Sequence, residues 1–396
     1  IDVGGPAMVR AAAKNHANVT VVVDPADYES TWHQIATFGR PNDAIRRSLA
    51  QKAFVYTSHY DQAIANFLEA QEKSDDDFPN EMQIFYHKKM DLRYGENPHQ
   101  KAALYTAPCK QKHSLTTATL LQGKPLTYNN LLDTDAALNC VRALNSQFSG
   151  CVIVKHGTPC GVAQASNLKQ AYLKALATDP VSAFGGIVAC NQPVDSDTAL
   201  EIISRQFVEA LLAPAITESA LAILSAKPTW RILTCPTDLL AQGFSMRSID
   251  GGLLIQQEDL PVDPLSEYKT VTNRAPSSAE MEDLLFAWQV TKYVKSNAIV
   301  YAKNQATLAL GGGQTSRVFS AEIAEFKAKK MGIELTGSVA ASDGFFPFAD
   351  GVEVLAKAGV SAIIQPGGSK RDQEAVARAN QYNIAMVFTH MRHFRH

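Results

Sequence analysis

The chain has 396 residues, of which 46% are hydrophobic and 19% are charged. This is an ordinary globular composition, and the length predicts two or three domains with a large core that needs no disulfide staples. The formal net charge is −2, which gives no electrostatic reason to expect a nucleic acid or an anionic membrane as a partner. No apolar stretch reaches the length of a transmembrane helix.

The six cysteines show no CxxC spacing, and most of them stand in apolar surroundings. They are Cys109, Cys140, Cys151, Cys160, Cys190 and Cys235. This pattern is typical of free, buried thiols in a reducing compartment, so we expect a cytoplasmic protein.

Residues 1–28 predict a glycine turn, a helix, a strand over 19–23 and a closing turn at Asp24-Pro25. The chain begins Ile1-Asp2-Val3-Gly4-Gly5, without an initial Met and without a signal-peptide pattern, and we expect it to be the C-terminal portion of a longer protein. Residues 41–72 predict a largely helical segment with one apolar face. The polar run 74–77 interrupts that pattern, and we place a domain boundary there, giving domains 1–77 and 78–396.

The remainder of the chain alternates strands with helices. The predicted strands are 151–154, 186–190, 298–302, 307–310, 338–341, 361–364 and 384–388. The predicted helices are 130–147, 168–177, 196–212, 277–296, 350–358 and 371–382. Such alternation is typical of parallel βαβ units in a layered α/β fold. A weak echo between 151–212 and 298–390 indicates two similar lobes.

The pair Lys155-His156 follows the buried apolar strand 151–154 and precedes a turn rich in glycine and proline. Ligands of open α/β sheets bind at the carboxyl ends of strands. Imidazole titrates near neutrality and ammonium stabilises negative charge, so the pair suits proton transfer beside an anionic substrate. On this segment alone, a solvated loop is the more ordinary interpretation.

Several other loops combine polar side chains of catalytic types with glycine or proline just past a strand. They are 93–94, 182–186, 295–297, 311–317, 343–350, 366–370 and 392–396. The loop 311–317 has the composition of a cradle for a phosphate or a pterin-like ring, with Arg317 at the mouth of the next helix. It matches neither GxGxxG nor a Walker A loop, and alone it is better explained as a flexible turn.

The loop 343–350 carries three Phe and a Pro, which is unusual for a solvated loop. It suits a pocket for flat rings, with Asp350 as helix N-cap or ring-nitrogen acceptor, and a hydrophobic staple explains it equally well. The tail 392–396 suits a phosphate clamp, because Arg binds phosphate bidentately. Its spacing alone favours a frayed end.

A zinc site is the competing interpretation of the segment around His156. Pro159-Cys160 resembles part of the signature of zinc deaminases, but Thr158 stands where Glu is required and Ala163 where Cys is required. Too few ligands remain, so we predict no zinc site.

Taken together, these loops resemble the family of bifunctional purine biosynthesis proteins, AICAR transformylase/IMP cyclohydrolase. The most specific pieces are RYGENPHQ (93–100), KHGTPCG (155–161), SDGFFPF (342–348) and MRHFRH (391–396). The resemblance runs from residue 1 to residue 396. It implies two similar α/β/α lobes of cytidine-deaminase type, about 78–275 and 276–396, after a partial α/β cyclohydrolase domain with a helical linker.

The resemblance also implies an activity, the transfer of formyl from 10-formyltetrahydrofolate to the 5-amino group of AICAR. That co-substrate is the only cofactor it implies, with no metal or redox group. The implied partners are these small molecules, without nucleic acid or membrane, and a second copy in a homodimer that shares its active sites.

The resemblance assigns roles residue by residue. His156 is implied as catalytic base, Lys155 as its assistant and Asn297 as the holder of the carboxamide or formyl oxygen. The residues implied to bind AICAR are Arg93, Tyr94, Gly185, Glu209, Phe345 and Arg392. Those implied to face the folate are Arg317, Asp350, Ser369 and Lys370. Glu209 stands where some relatives have Asp, which keeps a carboxylate with a different reach.

Residues 1–28 resemble the end of the cyclohydrolase domain. Asp2 and Val3 match nucleotide-binding positions there, and Lys14 matches its catalytic lysine, although a surface helix lysine is the plainer explanation. The resemblance implies that the intact protein also cyclises formyl-AICAR to IMP, and we expect the chain as given to lack this cyclohydrolase activity. Two alternatives stay open, a zinc-free deaminase-like enzyme acting on a nucleotide and a folate- or nucleotide-binding module without turnover.

Overall fold

The computed structural model describes residues 1–69, 71, 78–107, 113–238, 243–259 and 265–396. These residues form two compact units, 1–85 and 86–396. The polar run 74–77 and Cys109 lie outside the described residues, and the domain boundary at residue 77 stays a prediction.

The unit 1–85 is helical. Its helices are α1 (Gly4–Lys14), α2 (Tyr28–Phe38) and α3 (Asp43–Glu69), with a short 3₁₀ turn at Pro25–Asp27. The strand predicted over 19–23 is wrong, because this segment has no strand to pair with in the described part of the unit. Val21 instead packs beside Ala13, Ala50 and Ala53 of α1 and α3 in a small apolar cluster.

The unit 86–396 contains the strands and the remaining helices. The strands are β1 (His87–Leu92), β2 (Ala102–Thr106), β3 (Thr119–Gln122), β4 (Ser149–Lys155), β5 (Thr158–Ala165), β6 (Gly186–Cys190), β7 (Val208–Ala213), β8 (Arg231–Thr234), β9 (Phe244–Ile249), β10 (Gly252–Gln257), β11 (Lys269–Thr270), β12 (Ile299–Lys303), β13 (Ala306–Gly311), β14 (Val339–Ser342), β15 (Ala362–Gln365) and β16 (Ala385–Phe388). The helices are α4 (Tyr128–Arg142), α5 (Leu168–Thr178), α6 (Pro180–Ala183), α7 (Ser196–Arg205), α8 (Glu218–Leu224), α9 (Ser278–Thr291), α10 (Arg317–Met331), α11 (Asp350–Lys357) and α12 (Asp372–Gln381).

Twelve of these strands form one large sheet in the order β11-β16-β15-β14-β12-β13-β5-β4-β6-β7-β8-β3. The two halves of this order correspond strand by strand from the outer edges to the centre. One half reads β3, β8, β7, β6, β4 and β5, and the other reads β11, β16, β15, β14, β12 and β13. The two halves join at the antiparallel pair β5 and β13, where Ala163 lies opposite Ala306. The order therefore gives the sheet two halves of equal design, while the boundary predicted at residue 275 stays a prediction.

The sheet is mixed, so the α/β fold is confirmed, while the predicted parallel βαβ units account for only part of each half. β6, β7 and β8 are parallel, as are β14, β15 and β16. β4–β5 and β12–β13 are antiparallel hairpins. The two-residue turns 156–157 and 304–305 are the reason, because parallel strands need a long crossover.

Helices cover both faces of the sheet. Val152 and Val154 of β4 point into a core shared with α4 and α9. Cys151 and Ile153 point to the opposite face, into the core under α5, α7 and α8. Side chains alternate along a strand, so one buried strand serves two cores. A third core lies under α10, α11 and α12 in the other half of the sheet.

Two predicted elements had the wrong extent. The helix predicted over 196–212 ends at Arg205, and Val208–Ala213 is the buried strand β7. The turn expected after His156 occupies only two residues, and Thr158–Ala165 returns as β5. The remaining predicted helices and strands of this unit agree with the structure within five residues at each end; the largest differences are the ends of α4 and α9, which were predicted five residues too late.

The start of α9 carries an ion pair that makes stability depend on pH. Arg274 donates to both carboxylate oxygens of Glu280 at 2.9 Å, and Glu280 also accepts from the backbone N–H of Ser277 at 2.8 Å. The Arg274 hydrogen bonds lower the pKa of Glu280 to about 2. A lowered carboxyl pKa contributes stability above the unfolded value near 4.5, and that contribution is lost as pH falls toward 2.

We therefore expect Glu280→Gln to lower the free energy of unfolding at pH 7 by about 1.5–3 kcal/mol, the range for hydrogen bonds to charged groups. The difference from wild type should shrink between pH 5 and pH 3. Urea unfolding over this pH series measures it. Glu282→Gln, an exposed position on the same helix, is the matched control and should change stability by less than about 0.5 kcal/mol. A pH-independent difference would contradict the assignment.

Candidate functional site

One edge of the large sheet collects the predicted transformylase residues. β4 is antiparallel to β5, β5 to β13 and β13 to β12, so β12 begins at the edge where β4 ends. The starts of β6 and β7 and the ends of β13 to β16 lie at this same edge. The predicted residues at these strand ends are Lys155, His156, Gly185, Glu209, Asn297, Arg317, Phe345, Asp350, Ser369, Lys370 and Arg392.

Lys155 and His156 stand at the β4–β5 turn. His156 and Gly157 have φ values of 53° and 69°, as a two-residue type I′ turn requires. The carboxylate of Asp133 on α4 accepts hydrogen bonds from both turn amides, at 3.1 Å from His156 N and 2.7 Å from Gly157 N. The His156 side chain is exposed. Lys155 Nζ donates to Phe184 O at 2.7 Å.

A cavity of about 360 Å³ opens beside this turn, and we call it the lysine–histidine cavity. It is lined by Lys155, His156, Thr158, Pro159, Cys160, Thr178, Asp179, Ser182, Ala309, Leu310 and Lys327. The buried Asp179 accepts from Ser182 N at 2.9 Å and from Ser182 Oγ at 2.7 Å. The cavity thus presents two lysines and a histidine around one satisfied carboxylate, which suits an anionic or strongly polar ligand.

Asp179 and Lys327 were missed by the sequence analysis. Asp179-Pro180 at the start of the short α6 is a recognisable helix-start signal that could have identified Asp179. No local signal marks Lys327, which the α10 helix carries to the cavity from far along the chain.

Cys160 lines this cavity without the properties of a nucleophile. Burial raises the pKa of its thiol to about 12, and the carboxylate of Asp179 adds to the effect. The thiol is therefore protonated at neutral pH. This agrees with Pro159-Cys160 serving as strand and core, since both residues belong to β5.

We expect Cys160 in the folded chain to react with iodoacetamide at pH 8 on the order of a thousandfold more slowly than in urea, because the alkylated species is the thiolate. Peptide mass spectrometry after timed quenching measures the rate at this cysteine. Labelling at equal rates in the folded and unfolded chain would show a low thiol pKa and overturn the assignment.

A second cavity of about 460 Å³ lies at the same edge in the other half of the sheet, and we call it the arginine–phenylalanine cavity. It is lined by Asn297, Thr315, Ser316, Arg317, Val318, Gly344, Phe345, Phe346, Pro347, Phe348, Asp350, Arg392 and Phe394. Phe346 is buried in the core, whereas Phe345 and Phe348 are 40% and 49% exposed. The loop 343–350 therefore has one core ring and two rings available to a ligand.

Asp350 is the first residue of α11 and not its N-cap, which is Ala349. The N-cap role predicted for Asp350 is therefore wrong. Its carboxylate lines the arginine–phenylalanine cavity and accepts from Gly351 N at 2.7 Å.

Arg317 is the centre of a buried polar network behind this cavity. Its guanidinium pairs with Asp343 and donates to Ser342 Oγ at 2.9 Å and to Asn297 Oδ1 at 2.8 Å. The Arg317 side chain is 7% exposed and that of Asp343 is 0% exposed. A Cβ on Gly344 would lie 2.5 Å from the guanidinium, so glycine is required there.

Asn297 is held from both ends of its amide. Its Oδ1 accepts from Arg317, and its Nδ2 donates to Gln314 O at 2.9 Å. The Ser296–Asn297 peptide bond is cis. Since an amide nitrogen carries two N–H groups, one remains for a ligand in the arginine–phenylalanine cavity.

The C-terminal tail is tied down, so the frayed end favoured by its spacing is wrong. Ser296 N donates to Arg395 O at 2.9 Å, and Arg395 N donates to Ser296 Oγ at 3.1 Å. His393 is 1% exposed. The Arg392 guanidinium stacks over the Phe394 ring at 4.7 Å, which places a cation in the arginine–phenylalanine cavity.

Four predicted residues at this edge line neither cavity. Gly185, next to the Phe184 carbonyl that holds Lys155, has a φ of 75°. Glu209 forms an ion pair with the buried Arg231 at 2.7 Å. Ser369 and Lys370 occupy the turn before α12.

The other predicted residues belong to elements outside the large sheet. Arg93 and Tyr94 follow β1, with the guanidinium 5.5 Å from the ring centre. Asp2, Val3 and Lys14 belong to the unit 1–85, where Asp2 N donates to Tyr60 Oη at 2.6 Å and Lys14 is exposed in the last turn of α1.

Among the described residues, His, Cys, Asp and Glu side chains do not gather in a group of three that could hold a metal ion. No helix in this part of the chain combines the length and apolar character needed to cross a membrane.

A comparison with models of protein families shows the family of the chain. The model of the AICARFT/IMPCHase bienzyme family matches residues 12–327. The match covers well over half of the chain and includes Lys155, His156, Asn297 and Arg317. The chain therefore belongs to the AICARFT/IMPCHase bienzyme family, the AICAR transformylase/IMP cyclohydrolases of purine biosynthesis.

Proposed function

We propose that the chain transfers formyl from 10-formyltetrahydrofolate to the 5-amino group of AICAR, giving formyl-AICAR and tetrahydrofolate. The observation that carries the proposal is the exposed His156 beside Lys155 at the mouth of the lysine–histidine cavity. A base and a cation on one rigid hairpin turn are what an acyl transfer to a weak amine requires.

His156 acts as the general base. The amine of AICAR is conjugated with its ring and is a poor nucleophile, so it must lose a proton as its nitrogen bonds to the formyl carbon. The bond between the formyl carbon and N10 of the folate then breaks, and the proton held by His156 passes to N10, so that tetrahydrofolate leaves as a neutral amine. Within the described residues no protein group hydrogen-bonds the His156 imidazole, which leaves it available to take that proton.

Lys155 and Asn297 stabilise charge on the formyl oxygen. Lys155 donates one N–H to Phe184 O, and its other two N–H groups remain for a ligand, since an ammonium has three donors. Asn297 keeps one N–H of its fixed amide. A donor aimed at a developing oxyanion is worth about 3 kcal/mol of transition-state stabilisation in a dry site.

The remaining polar groups bind the two substrates. Arg392, Arg93 and Tyr94 bind the phosphate and base of AICAR, because guanidinium binds phosphate bidentately. Phe345 contributes a flat face to the AICAR ring. Gly185 and Glu209 complete the proposed AICAR contacts.

The folate is proposed to lie against the arginine–phenylalanine cavity. Asp350, Ser369 and Lys370 provide polar contacts around the exposed Phe348 ring. Arg317 contributes mainly by fixing the amide of Asn297, because its guanidinium already pairs with Asp343.

The active site is proposed to combine two copies of the chain. The two cavities share no lining residue. Lys155 and Asn297 stand at strand ends three places apart in the sheet, or about 14 Å at about 4.8 Å per strand. One formyl oxygen cannot span this separation within a single chain, whereas the lysine–histidine cavity of one copy can face the arginine–phenylalanine cavity of another. We propose a homodimer on this ground, and we keep the cytoplasmic location predicted from the sequence as a separate proposal.

The proposal is tested by tetrahydrofolate release when the chain is mixed with AICAR and 10-formyltetrahydrofolate. No release by the folded chain would leave the non-catalytic binding module as the better function. Ammonia release from a nucleotide would favour the deaminase-like alternative.

Shared sites are tested by co-expressing His156→Ala and Arg392→Ala chains with different tags. Each variant alone should be inactive. A mixed dimer has one intact site, so a random mixture should recover about a quarter of wild-type activity. Recovery of nothing, with mixed dimers verified by double-tag purification, would place the whole site in one chain.

A further inference from the structure

The two halves of the sheet hold their central hairpin turns with the same contact. Asp133 accepts from the amides of His156 and Gly157. Asp283 accepts from the amides of Asn304 at 2.8 Å and Gln305 at 2.7 Å. Asn304 and Gln305 also have positive φ, 55° and 56°.

The aspartates occupy equivalent places in their helices. α4 and α9 each begin with a capping box, with N-caps Thr127 and Ser277. Asp133 and Asp283 both stand six residues after the N-cap. The spacing fixes each carboxylate against the turn of the hairpin that follows, so the sequence contains a residue-level repeat that its overall composition conceals.

Only one of the two turns carries a catalytic group. The turn 304–305 lies at the opposite edge of the sheet, since the halves join antiparallel at β5 and β13. It bears Asn and Gln, whereas the turn at the functional edge bears His156. The left-handed backbone conformation is unfavourable for residues with a Cβ, such as His, and not for Gly. His156 therefore keeps this conformation only if another group holds it.

We infer that Asp133 is a positioning residue for His156, an inference that rests on the proposed function. Its two carboxylate oxygens bind the two turn amides and hold His156 in the left-handed conformation that presents its imidazole at the lysine–histidine cavity. Asp133 contacts neither substrate and does not take part in the proton transfer.

A carboxylate is required because both contacts need acceptors. Asn at this position offers one acceptor oxygen and an NH₂ that opposes the second turn amide. The turn then relaxes toward a conformation that suits His156 better, and the imidazole moves from the cavity. A displacement of about 1 Å in a catalytic group can lower a rate by about 100-fold.

The experiment compares Asp133→Asn with Asp283→Asn, which breaks the same contact in the same kind of turn at the other edge. Formyl transfer, AICAR affinity by calorimetry and Tm are measured for both. Asp133→Asn is expected to lower kcat by about 10- to 100-fold with AICAR Kd nearly unchanged. Asp283→Asn is expected to lower Tm by the same amount as Asp133→Asn and to keep the wild-type kcat.

The double variant Asp133→Asn/His156→Ala separates positioning from a general structural defect. If Asp133 acts through His156, the double variant is no slower than His156→Ala alone, because the group being positioned is gone. Additive losses would overturn the inference, as would equal kcat losses in the two aspartate variants or a large rise in AICAR Kd.

Failure of the inference is distinguishable from failure of the proposed function. If the wild-type chain transfers no formyl group or His156→Ala is fully active, the proposed function is wrong. If His156→Ala is inactive and Asp133→Asn keeps wild-type kcat, the positioning role alone is wrong.

Discussion

His156→Ala is expected to abolish formyl transfer while the chain still binds AICAR. Loss of a general base lowers a rate by about 10²- to 10⁴-fold, whereas the phosphate and ring contacts proposed for AICAR come from other side chains. The side chain at 156 is exposed, so its truncation leaves the core intact. Stopped assays of tetrahydrofolate release, with AICAR affinity measured by calorimetry, give both quantities.

The control for this variant is His33→Ala, which removes an exposed imidazole from α2 in the unit 1–85. It should leave kcat and KM unchanged. A His156→Ala chain with wild-type kcat would remove this histidine from the reaction, and equal losses in both variants would indicate a general defect.

Asp343→Ala is expected to lower the free energy of unfolding by about 3–5 kcal/mol, the usual cost of removing one partner of a buried ion pair. The variant leaves the guanidinium of Arg317 buried with its charge uncompensated. The backbone contacts of residue 343, with Ala298 O and His393 N, do not depend on its side chain. Urea unfolding at pH 7 measures the loss.

Glu374→Ala is the control for the buried pair. Glu374 lies 3.8 Å from Arg371, and both side chains are more than half exposed, so the loss should be within about 1 kcal/mol. A loss of similar size in Asp343→Ala would mean that the Arg317 network is solvated and does not lock the arginine–phenylalanine cavity.

The sequence predicted elements well where local signals were strong. The strand 151–154 was recognised because four apolar residues stand between turn signals, and β4 buries all four completely. The strand β7 was missed because a short apolar run cannot be assigned to helix or strand by periodicity. β5 was missed because Gly161 was interpreted as a turn residue. The structure gives it another reason, since a Cβ there would lie 1.9 Å from Ala175 O of α5.

The site was predictable only in part. Lys155-His156 stands out because polar residues directly follow a buried strand. The pairing of Arg317 with Asp343 was not predictable, because 26 residues separate them and only the β13–α10 and β14 ends bring them together. The tail resembled a frayed end because its anchors, Ser296 and Asp343, are distant in sequence.

The repeated design of the sheet has a consequence for protein engineering. The turn 304–305 has the backbone conformation of the turn 156–157 and its own anchoring aspartate, Asp283, yet it stands at the opposite edge, for which no chemistry is proposed. It is a second position for a general base, since Asn304→His would place an imidazole on a backbone that is already left-handed. The chain thus carries, besides the hairpin turn that bears His156, a second turn of the same backbone conformation into which a new side chain can be introduced.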